Sequence, residues 1–139
     1  MSDTFVSKFF QDERDAMVPQ EPKWERSKYL NLSFQDLGTA YQRPEILNVM
    51  RGAHKTLVTL KLASNQLASF PRAGGSFPHL ITLDISSNLL QSTSSLPRAP
   101  LLSALNLSSN LITASWRTIG PLSSYRRLKS LWVANNPIR

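Results

Sequence analysis

The sequence predicts an α/β fold in which short parallel strands form one curved sheet, while irregular or short helical segments return along the opposite, convex side. Two observations lead to this prediction. A string of four aliphatic residues and one asparagine recurs four times at intervals of 22 to 26 residues. The segments between the strings are short and contain most of the glycine and proline in that part of the chain, which favours extended returns, although 44–55 and 115–127 have room for a helical turn.

The repeated string follows the pattern L-x-x-L-x-L-x-x-N-x-L. Its four clear copies begin at Leu57, Leu80, Leu102 and Leu128. A weaker copy begins at Ser27 and has Gln35 in the place of the asparagine, and terminal copies of a repeat array are commonly atypical. Alternate aliphatic side chains of each copy point into a shared core, so one copy alone buries almost nothing and neighbouring copies must stack.

The residue types and spacing of these copies make the chain resemble the leucine-rich repeat family. The resemblance covers residues 57–139 strongly, and the period is similar to that of the intracellular, protein-phosphatase-regulator-like class with 22-residue repeats. It implies a leucine-rich repeat solenoid with the curved parallel sheet on its concave side. The predicted domains are an N-terminal flank at 1–23 and a solenoid at 24–139 with four clear repeats and one degenerate N-terminal repeat.

Both ends of the predicted solenoid leave alternatives open. Residues 1–23 start with Ser2 and Asp3 ahead of a phenylalanine-rich stretch, the pattern of a capped amphipathic helix. This helix either caps the open edge of the first strand or docks into a partner. At 136–138 an Asn-Pro-Ile triplet is similar to the last repeat before a C-terminal cap in the family, and no such cap follows. The chain is therefore either a fragment of a longer protein or has a last strand that a partner covers.

The repeated asparagine is predicted to form a structural ladder. It falls where the chain turns out of each strand, so its amide can bond the backbone of its own turn and of the next repeat. The ladder consists of Asn65, Asn88, Asn110 and Asn136.

The outward-facing strand positions are the predicted partner-binding surface, because a strand alternates its side chains between the two faces of a sheet. They are Tyr29, Asn31, Thr59, Lys61, Thr82, Asp84, Asn106, Ser130 and Trp132. The face is small-chained and nearly uncharged, and exposed tryptophan is a favoured interface anchor. Two structural alternatives stay open: Trp132 covers the last repeat, and Asp84 pairs with Lys61 across strands.

The chain is strongly basic, with 16 Lys and Arg against nine Asp and Glu, a net charge of +7 and a pI near 10.3. From residue 46 onward there are ten basic side chains and a single acid. The candidate contacts on the convex and loop edges are Arg98, Arg117, Arg126, Arg127 and Lys129. These residues form either a solvated surface or a site for an acidic protein surface or RNA.

Enzymatic, metal and cofactor functions find no support in the sequence. With no cysteine there is no thiolate nucleophile or Cys-based zinc site, and His54 and His79 lack a nearby carboxylate or second ligand in the sequence. The acid-containing N-terminus is unlike a mitochondrial transit peptide, and no apolar run approaches the roughly 20 residues that span a bilayer. We therefore expect an intracellular protein, cytoplasmic or cytoskeletal, with the nucleus left open, and no membrane or small-molecule partner.

Two functions compete. The first is a non-enzymatic protein-protein interaction scaffold that is a subunit of a larger intracellular assembly. Cytoskeletal and axonemal assemblies are both compatible with this function. The alternative is a ribonucleoprotein component that resembles the spliceosomal A-prime class, with the basic edge on RNA. The second is ranked lower because the sequence lacks an interleaved aromatic and basic strip of the kind that stacks bases.

Overall fold

A computed structural model describes residues 27–38, 43–71, 76–113 and 115–137. Its strands are β1 (Tyr29–Asn31), β2 (Thr59–Lys61), β3 (Thr82–Asp84), β4 (Ala104–Asn106) and β5 (Ser130–Trp132). Its helices are α1 (Arg43–Ala53), α2 (Trp116–Ile119) and a 3-10 helix (Gly120–Ser124). The capping helix predicted in 1–23 lies outside the described residues.

The five strands form one sheet in the order β1-β2-β3-β4-β5, and every neighbouring pair is parallel. The central leucines of neighbouring strands are register partners: Leu30, Leu60, Leu83, Leu105 and Leu131. Each copy of the sequence string therefore supplies one strand, and the weak copy that begins at Ser27 supplies β1. A parallel sheet with few helices is the α/β arrangement that the sequence predicts.

The core lies on one side of this sheet. In β1 to β4 the central leucine is buried between two more exposed neighbours, as the alternation of side chains along a strand requires. The returns contribute aromatic side chains to the same core. The rings of Phe70 and Phe77 meet edge to face with centroids 5.7 Å apart, the geometry that the ring quadrupoles favour.

Helix α1 is longer than the single helical turn for which the sequence left room. It runs for 11 residues and buries Val49, Met50 and Ala53, which fall on one face of the helix. Pro44 occupies its first turn, where a missing backbone N–H breaks no helical hydrogen bond. The described residues 89–103 contain turns but no helix, as their proline content predicts.

The last copy departs from the predicted core pattern. Leu131, predicted to be buried, is 42% exposed, and Leu128 and Val133 are only partly buried. β5 is an edge strand with only β4 beside it, whereas Leu30 of the other edge strand, β1, is buried. Strand alternation specifies the face on which a side chain lies, whereas burial also depends on what covers that face.

The chain leaves each strand through a recurrent tight turn. The residue before the repeated asparagine has a positive φ in every clear copy: 58° at Ser64, 55° at Ser87, 58° at Ser109 and 58° at Asn135. This left-handed conformation reverses the chain within a few residues, so the turn brings the asparagine side chain under the strand. None of the helices in the described ranges is long and apolar enough to cross a membrane.

Candidate functional site

The predicted partner-binding residues lie together on the side of the sheet opposite the core, here called the outer face. Register pairs them into two rows that run across the strands. The first row is Tyr29, Thr59, Thr82, Ala104 and Ser130, and the second is Asn31, Lys61, Asp84, Asn106 and Trp132. Because neighbouring strands lie about 4.8 Å apart, each row spans roughly 19 Å.

An exposed aromatic side chain stands at each end of the outer face. Tyr29 on β1 is 55% exposed, and Trp132 on β5 is 51% exposed. The Nζ atom of Lys61 lies 5.7 Å from the Tyr29 ring centroid, within cation–π range. The single lysine of the face is therefore held against the β1 end.

The expected ion pair between Asp84 and Lys61 is not the arrangement in the structure. The Asp84 carboxylate accepts a hydrogen bond from the backbone N–H of Ser86 at 3.0 Å and one from the Ser86 hydroxyl at 2.7 Å. Both partners lie in its own repeat. The carboxylate is thus bonded locally, and the Lys61 ammonium lies over the Tyr29 ring instead.

A structural function of the second row was missed by sequence reasoning. The side-chain oxygens of Asn31 and Asn106 accept from the N–H two residues onward, at 3.1 Å and 3.0 Å, as Asp84 does. These Asx turns end three of the five strands. The signal was present as an Asn or Asp followed two residues later by Ser, at the same offset in three copies. The Oδ1 atom of each of these three side chains therefore has a structural function.

The repeated asparagines stack in the turns beneath the strands. The amide oxygen of Asn88 accepts from the N–H groups of Asn65 at 3.0 Å and Leu67 at 2.9 Å. Its amide nitrogen donates to the carbonyls of Leu62 and Ile85, each at 3.0 Å. Asn88 thus binds its own turn and the preceding copy, whereas the sequence argument expected its own turn and the next copy.

The other asparagines repeat this pattern. Asn65 and Asn110 are buried, and each accepts from and donates to the backbone of the copy before it. Asn136 on the edge copy makes the same bonds but is only half-buried. Gln35, which replaces the asparagine in the first copy, is buried and donates instead to the Ser33 carbonyl.

The basic candidates all lie away from the outer face. They are exposed residues of the returns and of the approach to β5: Arg98, Arg117, Arg126, Arg127 and Lys129. The structure brings only two of them to a common depression, since Arg98 and Arg126 line one groove and the other three do not line it. Of the predicted basic edge, this groove therefore holds two members, Arg98 and Arg126.

The described residues contain no group of three His, Asp or Glu side chains placed to hold a metal ion. Both histidines bond the backbone. The Nδ1 atom of His54 donates to the Ser76 carbonyl at 2.7 Å, and that of His79 donates to the Lys55 carbonyl at 2.9 Å. The two rings tie neighbouring returns together.

Comparison with known proteins gives one partial likeness. No protein-family model matches the chain. A stretch of 41 residues, 29% of the chain, is 56% identical to part of Leucine-rich repeat-containing protein 58 of Mus musculus. The chain spans about a tenth of that relative, since the aligned stretch is 11% of its length. The likeness is to a protein named for its leucine-rich repeats, and it supports the leucine-rich repeat resemblance of this chain.

Proposed function

We propose that the chain is a non-enzymatic protein-protein interaction scaffold, built as a leucine-rich repeat solenoid of the 22-residue class. Its outer face, the concave side of that solenoid, binds a partner protein within a larger intracellular assembly. One observation carries the proposal: five in-register strands present a continuous face with one lysine and one aspartate and an exposed aromatic ring at either end.

The physical basis is a rigid surface with little to order on binding. The strand backbones are held by neighbouring strands and by the buried asparagines, so the scaffold loses little conformational entropy when a partner arrives. Small side chains such as Thr82 and Ala104 allow close approach of a partner backbone. Trp132 supplies a large amphipathic anchor. A row of roughly 19 Å matches a partner helix of about 13 residues at 1.5 Å per residue.

The ribonucleoprotein alternative ranks second. It depends on the basic residues, and these lie away from the outer face, which holds only one cation, Lys61. The two functions can be told apart, because the affinity for RNA falls steeply as the salt concentration rises.

The chain offers a matched pair of variants for testing the outer face. Trp132 is on β5 and 51% exposed, whereas Trp116 is on α2 and 80% exposed. A photo-crosslinking amino acid at Thr82, in the middle strand, labels whatever lies on the face. The full chain carrying it is irradiated in lysate of the cells that express the protein, and the adducts are identified by mass spectrometry with and without ribonuclease.

We expect the yield of the main protein adduct to fall at least about fivefold in Trp132→Ala, because the interface loses its anchor, and to stay unchanged in Trp116→Ala. Loss in Trp116→Ala with none in Trp132→Ala would place the partner elsewhere and contradict the proposal. Loss of the adduct after ribonuclease treatment would favour the ribonucleoprotein alternative.

A further inference from the structure

A groove with a volume of about 610 Å³ lies between two returns of the chain. One wall is formed by residues 93–100 and the other by residues 121–126. The Tyr125 hydroxyl ties the two walls together by donating to the Pro97 carbonyl. The first wall is also fixed to an earlier return, where the N–H of Phe77 donates to the Arg98 carbonyl at 2.8 Å. The groove is therefore preformed, and a ligand that enters it orders little of the protein.

The lining of the groove combines two cations with the apolar side chains of both walls, here together called the apolar or proline floor. Leu96, Pro97, Pro100 and Pro121 supply apolar surface, and Arg98 and Arg126 are exposed members of opposite walls. Proline has no backbone N–H, so three residues of the lining offer no main-chain donor to an anion. The two guanidinium groups are the only positive charges among the lining residues.

Within the described part of the chain, no carboxylate lies beside these arginines in the groove. The lining residues include no Asp or Glu. Asp84 is the only acid in the sequence after Glu45, and its carboxylate is bonded to Ser86 on the outer face. The groove is consequently a positively charged slot with an apolar floor, complementary to a ligand that has the opposite charge and an apolar part.

We infer that this groove binds an extended acidic segment of a partner protein, with one aliphatic side chain on the proline floor and flanking carboxylates on Arg98 and Arg126. The planar guanidinium presents paired donors that match a carboxylate. RNA fits the groove less well, because the only aromatic ring in its lining, Tyr125, is 7% exposed and leaves no free face for stacking a base. This site goes beyond the outer face, which uses none of these residues.

The test uses the full chain and defined probes. The main probe is a fluorescein-labelled heptapeptide with a central leucine and three glutamates on each side, read by anisotropy. A second peptide has glutamines in place of the glutamates, a third has glycine in place of the leucine, and a seven-nucleotide uridine RNA serves as the competing class.

The chain provides matched controls for the arginines. Arg98→Glu with Arg126→Glu removes both groove cations, while Arg117→Glu with Arg127→Glu makes the same change in net charge at exposed residues outside the groove. All four side chains are exposed, so both double variants should melt like the parent. Amide shifts of the unmodified chain, followed by NMR, report the contact site without any substitution.

We expect the glutamate peptide to bind. The peptide with glutamines should bind at least about tenfold more weakly, and the peptide with the central glycine at least about threefold more weakly. The groove double variant should lose about tenfold in affinity, the control double variant less than about threefold, and Trp132→Ala nothing. Amide shifts should concentrate at 93–100 and 121–126.

Four results would overturn the inference. They are no binding of the glutamate peptide, equal losses in the two double variants, amide shifts away from the groove, and tighter binding of the uridine RNA with the same dependence on Arg98 and Arg126. The first and third leave the outer-face proposal intact, since the Thr82 crosslink does not depend on the groove.

Discussion

At the scale of single residues, the buried asparagine amides connect neighbouring copies where the chain leaves the sheet. Asn88 alone satisfies two N–H groups and two carbonyls that face away from water. The positions of these asparagines were predictable, because a fixed offset in a repeated string marks them. It was not predictable that they bind the preceding copy, because the direction in which the copies stack follows from the three-dimensional turn and not from the spacing in the sequence.

The first prediction concerns Asn88. Asn88→Ala should lower the free energy of unfolding by about 3 kcal/mol, because several buried backbone groups lose their partners together. Asn106→Ala removes one hydrogen bond from an accessible strand end and should cost about 0.5 to 1 kcal/mol. Urea denaturation of both variants measures the difference. Equal losses would mean that the buried amides do not join the copies.

Tyr125 carries the second prediction. Its buried hydroxyl donates to the Pro97 carbonyl, and burial raises the pKa of the phenol above its usual range. The unfolded chain therefore ionises first, so the stability from burial is complete below about pH 10 and is lost as the pH rises above that value.

Tyr125→Phe should cost about 1 kcal/mol near neutral pH, and it should make stability fall less steeply above about pH 10. Urea titrations at about pH 8 and about pH 11 measure the change in the difference between parent and variant. If the difference stayed constant between the two pH values, the neutral buried phenol would not contribute to alkaline unfolding.

At the scale of elements, the strands were predictable and one helix was not. Alternating aliphatic residues mark β2 to β5 directly, and in β2 to β4 only one face of each short strand is buried. For helix α1 the sequence left room only for a helical turn within 44–55, because glycine and proline in the returns favour extended segments. Packing of Met50 and Ala53 into the core stabilises the 11-residue helix, and such tertiary contacts are invisible to local propensity.

The recurrent left-handed turn gives the third prediction. Ser87 has a φ of 55°, a conformation that asparagine tolerates better than serine and β-branched residues tolerate poorly. Asn135 already occupies the equivalent position of the last copy. Ser87→Asn should raise stability by about 0.5 kcal/mol and Ser87→Val should lower it by at least about 1 kcal/mol. Thermal melting ranks the two variants, and the reverse order would contradict the turn geometry.

The fourth prediction separates the structural use of Asp84 from its charge. An asparagine accepts the same N–H bond at the equivalent strand ends of β1 and β4. Asp84→Asn should therefore leave the melting temperature within about a degree of the parent, while Asp84→Leu should cost about 1 kcal/mol by removing the Asx turn. A large loss in Asp84→Asn would show that the charge itself stabilises the fold.

At the scale of the whole molecule, stacking turns a string too short to fold alone into one core and one outer face. The register could be predicted because every copy repeats the same offsets, and a slip by one residue would move each leucine to the opposite face. The exposure of Leu131 could not be predicted, because burial at the end of a stack depends on what lies beside the last strand. The groove between 93–100 and 121–126 was also missed, since it joins returns that share no motif.

The most direct test of the central claim uses the absence of cysteine from the sequence. Thr59 and Thr82 are register partners on adjacent strands, whereas Thr59 and Ala104 are two strands apart, about 4.8 Å against about 9.6 Å. Dibromobimane becomes fluorescent when it bridges two neighbouring thiols. The stacked sheet predicts rapid bridging in Thr59→Cys with Thr82→Cys and little in Thr59→Cys with Ala104→Cys. Equal rates in the two monomeric variants, or faster bridging in the second, would contradict the stacking on which the fold and its outer face depend.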